Sequence, residues 1–485
     1  MLKRVLSLVF AVCLISSSLL ACGEAAADAP SAPAQTGQDV IAGEMEAETE
    51  GEELVYDDLA DADFGGASYI IAGLSNRTTT AVTSGELNGE VINDAQYAAA
   101  RAVEERFNVN VSYEDIAGDD DAMLNALKGL VLSGEEKYSV TFGVDTRSIT
   151  AALNGYYHNL KSIPQFNWDQ PWWIDSTETI SVGGKSYVAS SYLAYYCLYY
   201  MRLFVINKTI AADLGLELPY QKVRDGAWYF DDLLAMAEAA TADVDGDGSM
   251  TENDRYGISY GALYTLQSSC GINMISKDSD NMPYINLDAE RALAYLNKAE
   301  PLFLDNGYNK DNDNYGANFF SNGQSLFCYC NLREVVNIIR NSEIDYGFLP
   351  APKLDELQND YMTVATDVYW GIPVSCVSQL DMIGTVTEAL SCQHYNYVRP
   401  AFFETTMKTK LSYSEDDSDM LDLVASKLSI DFGFAYQSNI SAVGSIDDLI
   451  NDKVKSDKVA STYEKKRSSI EKALDKIVAS YDELP

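Results

Sequence analysis

An alternation of strand-like and helix-like segments between residues 67 and 144 constrains the fold of this chain more than any other feature. The apolar runs SYIIAGL (68–74), VNVSYE (109–114) and YSVTFGV (138–144) have the composition of strands. Between them, apolar residues recur at helical spacing. A strand–helix–strand–helix–strand order predicts an α/β domain with a largely parallel sheet.

The length and the later patterns indicate at least one further domain. A chain of 485 residues exceeds what a single hydrophobic core normally organises. The aromatic run at 191–207 and the segment QSLFCYC (324–330) predict strands, whereas residues 288–304 and 458–483 have amphipathic helical patterns. In the last of these helices four side chains share one face: Ile470, Leu474, Ile477 and Tyr481.

The charge of the chain excludes one class of partner. The formal net charge is −39, and no lysine or arginine occurs between Arg4 and Arg77. A protein that binds nucleic acid needs clustered basic side chains to contact phosphates. We therefore expect no nucleic-acid partner, and we expect a monomer with a self-repelling acidic surface.

The N-terminus has the pattern of an export signal. Lys3 and Arg4 precede an apolar run that ends in LLAC (19–22), which resembles the cleavage box of bacterial lipoproteins. Residues 1–21 are therefore predicted to be a signal peptide, with Cys22 as the lipidated first residue of the mature chain. An ordinary secretory signal is the alternative. Several acyl chains on one residue would anchor the protein stably at the extracellular face of the cell membrane.

Residues 22–65 are predicted to form a disordered acidic tether. They are rich in Ala, Glu, Gly and Asp and contain few large apolar residues, so they cannot form a core. Like charges would keep this segment extended and hold a folded body away from the membrane.

The remaining cysteines are predicted to be buried free thiols. Their spacing is irregular and matches no zinc-binding pattern. One or two disulfides are the alternative, because the expected compartment is oxidising. These six residues are Cys197, Cys270, Cys328, Cys330, Cys376 and Cys392.

The segment DVDGDGSMTEND (243–254) has the spacing of a calcium-binding loop. Carboxylates occupy positions 1, 3 and 5, a glycine stands at position 6 where the chain must turn sharply, and further oxygen donors follow. Either residue 252 or residue 254 could supply the closing carboxylate. The predicted Ca²⁺ ligands are Asp243, Asp245, Asp247, Ser249, Thr251, Glu252 and Asp254.

A strand rather than a second helix is predicted after this loop, so it corresponds to half of an EF-hand. We therefore interpret the ion as a structural Ca²⁺ that joins helix 231–241 to the strand after residue 255. The alternatives are a solvated Asp/Gly turn without metal and a sensory calcium switch.

Four stretches resemble, in order, parts of the extracellular solute-binding lipoproteins of ABC importers, specifically the large carbohydrate-type family. They are DAQYAAARAVEERFNVNV, FVINKTIAADLGLELPYQKVRDGAWYFDDL, FFSNGQSLFCYCNLREVVNIIRNSEIDYGFLPAPK and RPAFFETTMKTKLSYSEDDSDMLDLV. The likeness covers roughly residues 67–485, and many members carry an Asp-rich calcium loop at this position. GAWYFDD departs from the Gly-Lys-Trp-Thr that is common among such members.

The resemblance implies a periplasmic-binding-protein-like fold of type II, with two α/β lobes joined by hinge strands and a ligand cleft between them. By this resemblance, lobe 1 comprises residues 66–190 and 345–400. Lobe 2 comprises 191–344 and 401–485, including the C-terminal helices. The implied activity is capture of a small soluble solute, an oligosaccharide above all, by lobe closure and its delivery to an ABC permease.

A saccharide site needs flat aromatic platforms and fixed polar groups. Such residues are expected in loops at the carboxyl ends of strands, because open α/β sheets bind ligands there. For each aromatic candidate the alternative role is packing in the core. For Asp145 and Arg147 the alternative is an ion pair on the surface. The candidates are Asp145, Arg147, Trp172, Trp173, Asn331, Arg333, Asp367, Tyr369 and Trp370.

The sequence favours a binding protein over an enzyme. His158 and His394 are the two histidines, and neither lies in a recognisable nucleophile motif. Motifs such as GxSxG, HExxH or a P-loop do not occur. A glycosidase needs only two carboxylates, so the sequence alone does not exclude one. A calcium-stabilised surface adhesin and a sensory sugar-binding lipoprotein are the alternative functions.

Overall fold

A computed structural model describes most of the chain after the N-terminal segment. The described residues are 54–74, 85–143, 145–174, 176–261, 265–304, 306–308, 315–365, 369–408, 414–440 and 459–484. The predicted signal peptide, Cys22 and Asp367 lie outside these ranges.

The described elements alternate between strands and helices along most of the chain. The strands are β1 Ala67–Leu74, β2 Val109–Ile116, β3 Val140–Gly143, β4 Arg202–Asn207, β5 Tyr256–Tyr260, β6 Ile275–Lys277, β7 Pro283–Ile285, β8 Gly307–Tyr308, β9 Ser325–Asn331, β10 Tyr346–Leu349, β11 Thr363–Val364, β12 Tyr369–Gly371 and β13 Leu428–Ser429. The first α-helices are α1 Val91–Phe107, α2 Asp120–Ser133, α3 Asp145–Leu153, α4 Ser176–Ile180, α5 Tyr196–Tyr199, α6 Lys208–Asp213, α7 Tyr220–Arg224, α8 Phe230–Ala240, α9 Leu266–Ser269 and α10 Ala289–Leu304. The later ones are α11 Tyr315–Ser321, α12 Leu332–Asn337, α13 Leu380–Gln393, α14 Arg399–Lys408, α15 Glu415–Ser426, α16 Phe432–Ala435 and α17 Val459–Glu483, with a π-helix at His394–Val398 between α13 and α14.

Lobe 1 is built on a four-stranded sheet in the order β12-β3-β1-β2. Strand β1 runs parallel to β2 and β3, and β12 runs antiparallel to β3. Helices α1, α13 and α14 pack together, and α2 and α3 pack against the strands. The parallel α/β domain predicted from residues 67–144 is confirmed.

Lobe 2 is built on a five-stranded sheet in the order β10-β4-β9-β5-β8. Strand β4 is antiparallel to β9 and β10, whereas β5 is parallel to β9 and β8. Every residue of β9 is buried, as expected for a central strand covered on both faces.

The structure corrects two of the predicted lobe assignments in part. Residues 345–400 were expected to return to lobe 1, but β10 pairs with β4 and so belongs to the sheet of lobe 2. The chain rejoins lobe 1 at β12, which pairs with β3. Within 401–485, α14 packs against α1 of lobe 1 and so departs from the prediction, whereas α15 packs against β10 of lobe 2.

Two antiparallel segments connect the lobes. The outgoing segment, residues 189–201, pairs with the returning segment through isolated bridges of Ala189 with Trp370 and of Met201 with Ala365. The outgoing segment contains turns and the short helix α5, so the strand predicted over 191–207 is correct only for β4. Beside this hinge, β11 pairs in parallel with β13.

The last helix contacts both lobes. Helix α17 packs against β7 and α10 of lobe 2 and against α3 of lobe 1. Its four predicted core residues are buried, which confirms the helical prediction for the C-terminus: Ile470, Leu474, Ile477 and Tyr481.

Residues 54–65, which we call the N-terminal strap, pack on lobe 1. The side chains of Val55, Leu59 and Phe64 contact the core, and Arg106 donates to both carboxylate oxygens of Asp57 at 2.8 Å. The folded body therefore begins before residue 66, and the disordered tether predicted over 22–65 does not extend to its predicted end.

The six cysteines of the body are buried and form no disulfide, as predicted. In the part of the chain that the structure describes, no helix combines the length and apolar character needed to cross a bilayer.

Candidate functional site

A cavity of about 320 Å³, here called the interlobe cavity, lies between the two lobes. On the lobe 1 side, Thr179 of α4 lines the cavity. Helix α4 contacts α16, and α16 also contacts α3, the helix that follows the carboxyl end of β3. On the lobe 2 side, Ser268 lines it from α9, which follows the carboxyl end of β5. Open α/β sheets bind ligands beyond the carboxyl ends of their strands, so this cavity has the expected position of a ligand site.

The lining of the interlobe cavity is rich in groups that recognise hydroxyls. Asp431, at the N-terminus of α16, accepts hydrogen bonds from Phe434 N–H at 2.7 Å and from the Ser268 hydroxyl at 3.4 Å. With its amide nitrogen turned toward the carboxylate, Asn273 also donates to Asp431 at 2.7 Å. Burial raises the pKa of Asp431 above its ordinary value, although the hydrogen bonds oppose this shift. Such a carboxylate can accept further hydrogen bonds from a neutral polyol.

Lys277 lines the same cavity and crosses from lobe 2 to lobe 1. Its ammonium group donates to the Ser181 carbonyl at 2.8 Å, to the Ser181 hydroxyl at 3.1 Å and to the Glu178 carbonyl. Asn281, in the turn after β6, donates to the Ser181 hydroxyl at 2.7 Å. Burial lowers the pKa of Lys277 to about 8. These hydrogen bonds hold the β6–β7 hairpin against α4 and close one side of the cavity.

The predicted aromatic residues lie mainly in the core of lobe 1. Trp172, Tyr369 and Trp370 have no exposed surface, and Trp370 donates from its indole N–H to the Ser191 hydroxyl at 3.2 Å. The ring of Trp370 packs 5.9 Å from the ring of Trp173, between centroids. These positions favour the packing role that was the alternative for these residues.

Trp173 is held by a buried carboxyl group. Its indole N–H donates to Glu388 Oε2 at 3.1 Å, and the Asn167 backbone N–H donates to Glu388 Oε1 at 3.1 Å. Glu388 is fully buried, and this burial raises its pKa to about 8. The loop around residues 167–173 is thus fixed to α13 of lobe 1.

Trp173 also lines a second cavity, of about 700 Å³, which we call the rear groove. Its walls come from residues 168–171, 173 and 174 and from Tyr192 of lobe 1. The other lining residues are Tyr395, Arg399 and Phe403 around the π-helix and α14, and Asp422, Ala425, Ser426 and Leu428 of α15 and β13. Leu428 faces the rear groove and Ser429 faces the interlobe cavity. Because successive strand residues point to opposite sides, the two cavities lie on opposite sides of β13.

The polar candidates take different positions. Arg147 donates to Asp121 at 3.1 Å in a partly exposed ion pair. Asn331 caps α12, because its side chain accepts from Glu334 N–H at 2.9 Å, and Arg333 follows in that helix. The backbone of Asp145 begins α3, but its side chain, like Asp367, lies outside the described part. Of the candidates with described side chains, Arg147, Asn331 and Arg333 line neither the interlobe cavity nor the rear groove.

The sequence analysis did not identify the polar residues of the interlobe cavity. Asp431 precedes an aromatic helix and looks like an ordinary N-cap, which it also is. Ser268, Asn273 and Lys277 lie about 160 residues earlier in short elements without a motif. The pairing of β13 with β11 and the packing of α16 against β6, which no local pattern predicts, bring Asp431 next to the lobe 2 residues.

The predicted calcium loop joins α8 to β5, as expected. Ligand oxygens of Asp243, Asp245 and Asp247 lie within 4.8 Å of one another, and Gly248 has the positive φ of 85° that the tight turn requires. Asp254 is buried and accepts hydrogen bonds from Val244 N–H at 2.9 Å and Thr251 N–H at 2.7 Å. Three convergent exposed carboxylates fit a hard cation such as Ca²⁺, whereas Asp254 fixes the shape of the loop.

No family model matches the chain, and no curated protein matches its sequence. Solved structures, in contrast, match its fold. A cyclo/maltodextrin-binding protein complexed with maltotetraose is 12% identical, with a TM-score of 0.52, and the match covers 88% of this chain and 99% of that chain.

Two further structures match over their full length. A sugar transporter from Rhizobium etli in an open conformation is 13% identical, with a TM-score of 0.54 and coverage of 87% of this chain. UspC from M. tuberculosis is 12% identical, with a TM-score of 0.53 and coverage of 84%. At this identity the likeness establishes the fold. The chain has the two-lobe, periplasmic-binding-protein-like α/β fold, with hinge strands and a cleft between the lobes.

Proposed function

We propose that this protein is a solute-binding protein that captures a small hydroxyl-rich solute, a saccharide above all, between its two lobes. The observation that carries this proposal is a cavity between the lobes into which Asp431, Asn273, Ser268 and Lys277 bring polar groups, in a fold shared with sugar-binding proteins. Because both lobes contribute to the cavity, a bound solute contacts both and favours the closed arrangement.

Binding without turnover fits this cavity. Asp431 accepts hydrogen bonds from the protein at the base of α16, so it is suited to orient hydroxyl groups. The proposed partners after capture are the membrane subunits of an ABC permease. The proposed location is the extracellular face of the membrane, with Cys22 as the lipid anchor.

We further propose that the loop 243–254 holds a structural Ca²⁺. The ion would be bound by Asp243, Asp245 and Asp247, with oxygen atoms from the rest of the loop completing the shell. The loop lies at the amino end of β5, whereas the interlobe cavity lies beyond its carboxyl end. The ion would therefore stabilise lobe 2 without contacting the solute.

A calorimetric screen of mono- and oligosaccharides against the chain without its signal peptide tests the proposed binding. We expect at least one saccharide to bind, and Asp431→Asn to weaken it about tenfold or more through loss of a charged acceptor worth about 1.5–3 kcal/mol. Asp278→Asn, in the exposed turn between β6 and β7, is the matched control and should bind normally. Release of a hydrolysed or otherwise altered saccharide would overturn the proposal in favour of an enzyme.

A further inference from the structure

We propose that the rear groove is a second binding site, separate from the interlobe cavity, and that it takes a neutral saccharide. Its volume of about 700 Å³ is about twice that of the interlobe cavity. Sites for small organic ligands usually have volumes of roughly 300–1,000 Å³. The proposal does not depend on whether a solute binds in the interlobe cavity, because the two cavities lie on opposite sides of β13.

Aromatic side chains give the rear groove an apolar surface. Trp168 packs on Trp173 with 4.3 Å between ring centroids, and Tyr192 packs edge to face on Tyr395 at 5.1 Å. Trp168 and Tyr395 are only half-buried, so part of each ring is exposed in the groove. Large, rigid rings of this kind suit the C–H faces of a sugar.

Hydrogen-bond acceptors and donors line the same groove. Asp169 and Asp422 are exposed, and each carboxylate offers about four acceptor positions. Arg399 lies over the ring of Tyr395 at 4.7 Å and over the ring of Phe403 at 5.9 Å. A guanidinium group that stacks on rings is held in one orientation and donates from its edge. The groove therefore presents both kinds of partner that a hydroxyl group can use.

The mixture of charges favours a neutral ligand over an ion. An anion would be attracted to Arg399 but repelled by Asp169 and Asp422. An organic cation would be attracted to the carboxylates but repelled by Arg399, which already covers the ring of Tyr395. A hydroxyl group donates to a carboxylate and accepts from a guanidinium group, so a saccharide can form charge-assisted hydrogen bonds with both.

The two walls of the groove are each fixed to a different lobe. Trp173 is held in lobe 1 by its hydrogen bond to Glu388. Helix α15 is held in lobe 2 through Asp417, which accepts from Lys208 Nζ at 2.7 Å and from the Tyr220 hydroxyl at 2.6 Å. Walls fixed in this way need little ordering when a ligand binds. A saccharide that contacts both walls would also favour this arrangement of the lobes.

Fluorine NMR of protein labelled with 5-fluorotryptophan tests the proposal at the groove itself. Of the five tryptophans, Trp168 is half-buried and the other four are buried, so a soluble nitroxide should broaden the Trp168 resonance most and so identify it. Trp168→Phe provides an independent assignment. The probes are maltotriose, cellotriose and raffinose, with choline and glucuronate as charged probes. We expect at least one trisaccharide to shift the Trp168 resonance with saturation.

Three isosteric variants show where the trisaccharide binds. Asp422→Asn should raise its half-saturation concentration about tenfold, because a charged acceptor is lost from the groove. Asp419→Asn is the matched control, since Asp419 lies on the same helix outside the groove in an exposed ion pair with Arg224, and it should leave the titration unchanged. Asp431→Asn, which changes the interlobe cavity, should also leave it unchanged.

Four results would overturn the proposal. They are an unchanged Trp168 resonance with all three trisaccharides, a shift with choline or glucuronate alone, a titration that Asp422→Asn does not alter, and a titration that Asp419→Asn weakens equally. If Asp431→Asn weakened the titration and Asp422→Asn did not, the shift would arise from solute in the interlobe cavity. That outcome would support the proposed function while removing the second site, so the two proposals can fail separately.

Discussion

At the scale of single residues, Glu388 shows how a buried carboxyl group organises a wall. It accepts hydrogen bonds from Trp173 and from the Asn167 backbone, and it has no exposed surface. Its pKa of about 8 lies above that of an exposed glutamate, so the folded state binds its proton more tightly than the unfolded state does. Stability from this group is therefore present at low pH and is lost as the pH rises toward 8.

The variant Glu388→Gln tests this predicted loss of stability with rising pH. The wild-type protein should lose up to about 1.4 kcal/mol of unfolding free energy per pH unit from this group, between roughly pH 4.5 and 8. Glutamine carries no proton to lose, so the pH profile of the variant should be flatter in this window. Chemical denaturation at several pH values measures the difference. Parallel profiles for both proteins would show that Glu388 is ionised in the folded state.

Trp370 illustrates what the sequence could not decide. A tryptophan near a strand end can face either a ligand or the core, and local patterns do not distinguish the two. The pairing of β12 with β3 and the bridge of Ala189 with Trp370 place the ring in the core. The residue types in this segment were compatible with a saccharide site and with a core, and the orientation of their side chains depended on contacts between distant segments.

Trp370→Ala should lower stability rather than act on solute binding alone. Removal of a fully buried indole leaves a cavity, and such changes cost about 3–5 kcal/mol of unfolding free energy. Trp370→Phe should cost clearly less, because the smaller ring fills most of the space. Thermal unfolding measures both. A Trp370→Ala protein with unchanged stability and weaker solute binding would instead return this residue to the ligand site.

At the scale of elements, periodicity predicted helices and strands well where each segment buries one face. Helix α17 and strands β1 to β3 appear where the pattern placed them. The run 191–201 was predicted as strand because it is aromatic, yet its tyrosines pack against each other and against Phe402 in turns and in α5. Aromatic residues favour burial in either conformation, so composition alone could not separate them.

The calcium loop makes a prediction at the same scale. Millimolar Ca²⁺ should raise the unfolding free energy by about 1–3 kcal/mol, because an ion that binds only the folded state stabilises it by mass action. Asp245→Asn should remove most of this gain, and Asp280→Asn, in an exposed turn elsewhere in lobe 2, should not. Solute affinity should stay the same with and without the ion. If Ca²⁺ still raised the unfolding free energy of Asp245→Asn by the same amount, the ion would bind elsewhere.

At the scale of the whole molecule, the resemblance predicted two lobes, and the fold comparison confirms them. The lobe boundary at 345 was wrong because β10, which lies just after this boundary, pairs with β4 in the lobe 2 sheet. The amino-acid composition does not change at a boundary within an α/β pattern, so the sequence does not mark it. Contacts across the lobes, such as those of the β6–β7 hairpin with α4, are set by tertiary packing and could not be predicted.

Ser181→Ala tests how strongly these contacts between the β6–β7 hairpin and lobe 1 hold the two lobes together. The change removes the hydroxyl that accepts from Lys277 and from Asn281 across the interface. Each hydrogen bond contributes about 0.5–1.5 kcal/mol, so the open population should rise about fivefold or more. Small-angle scattering without solute should then give a larger radius of gyration. Ser186→Ala, whose hydroxyl donates to Val188 within lobe 1, is the matched control, and equal radii for all three proteins would contradict the prediction.

The position of the last helix has a consequence for synthesis. The cluster of buried residues that spans α3, the β6–β7 hairpin and α16 takes Ile470, Leu474, Ile477 and Tyr481 from α17. A nascent chain that still lacks α17 must leave this apolar surface open to water. This part of the core can therefore be buried only after α17 has been synthesised, and until then the partly folded chain exposes an apolar surface to which chaperones can bind.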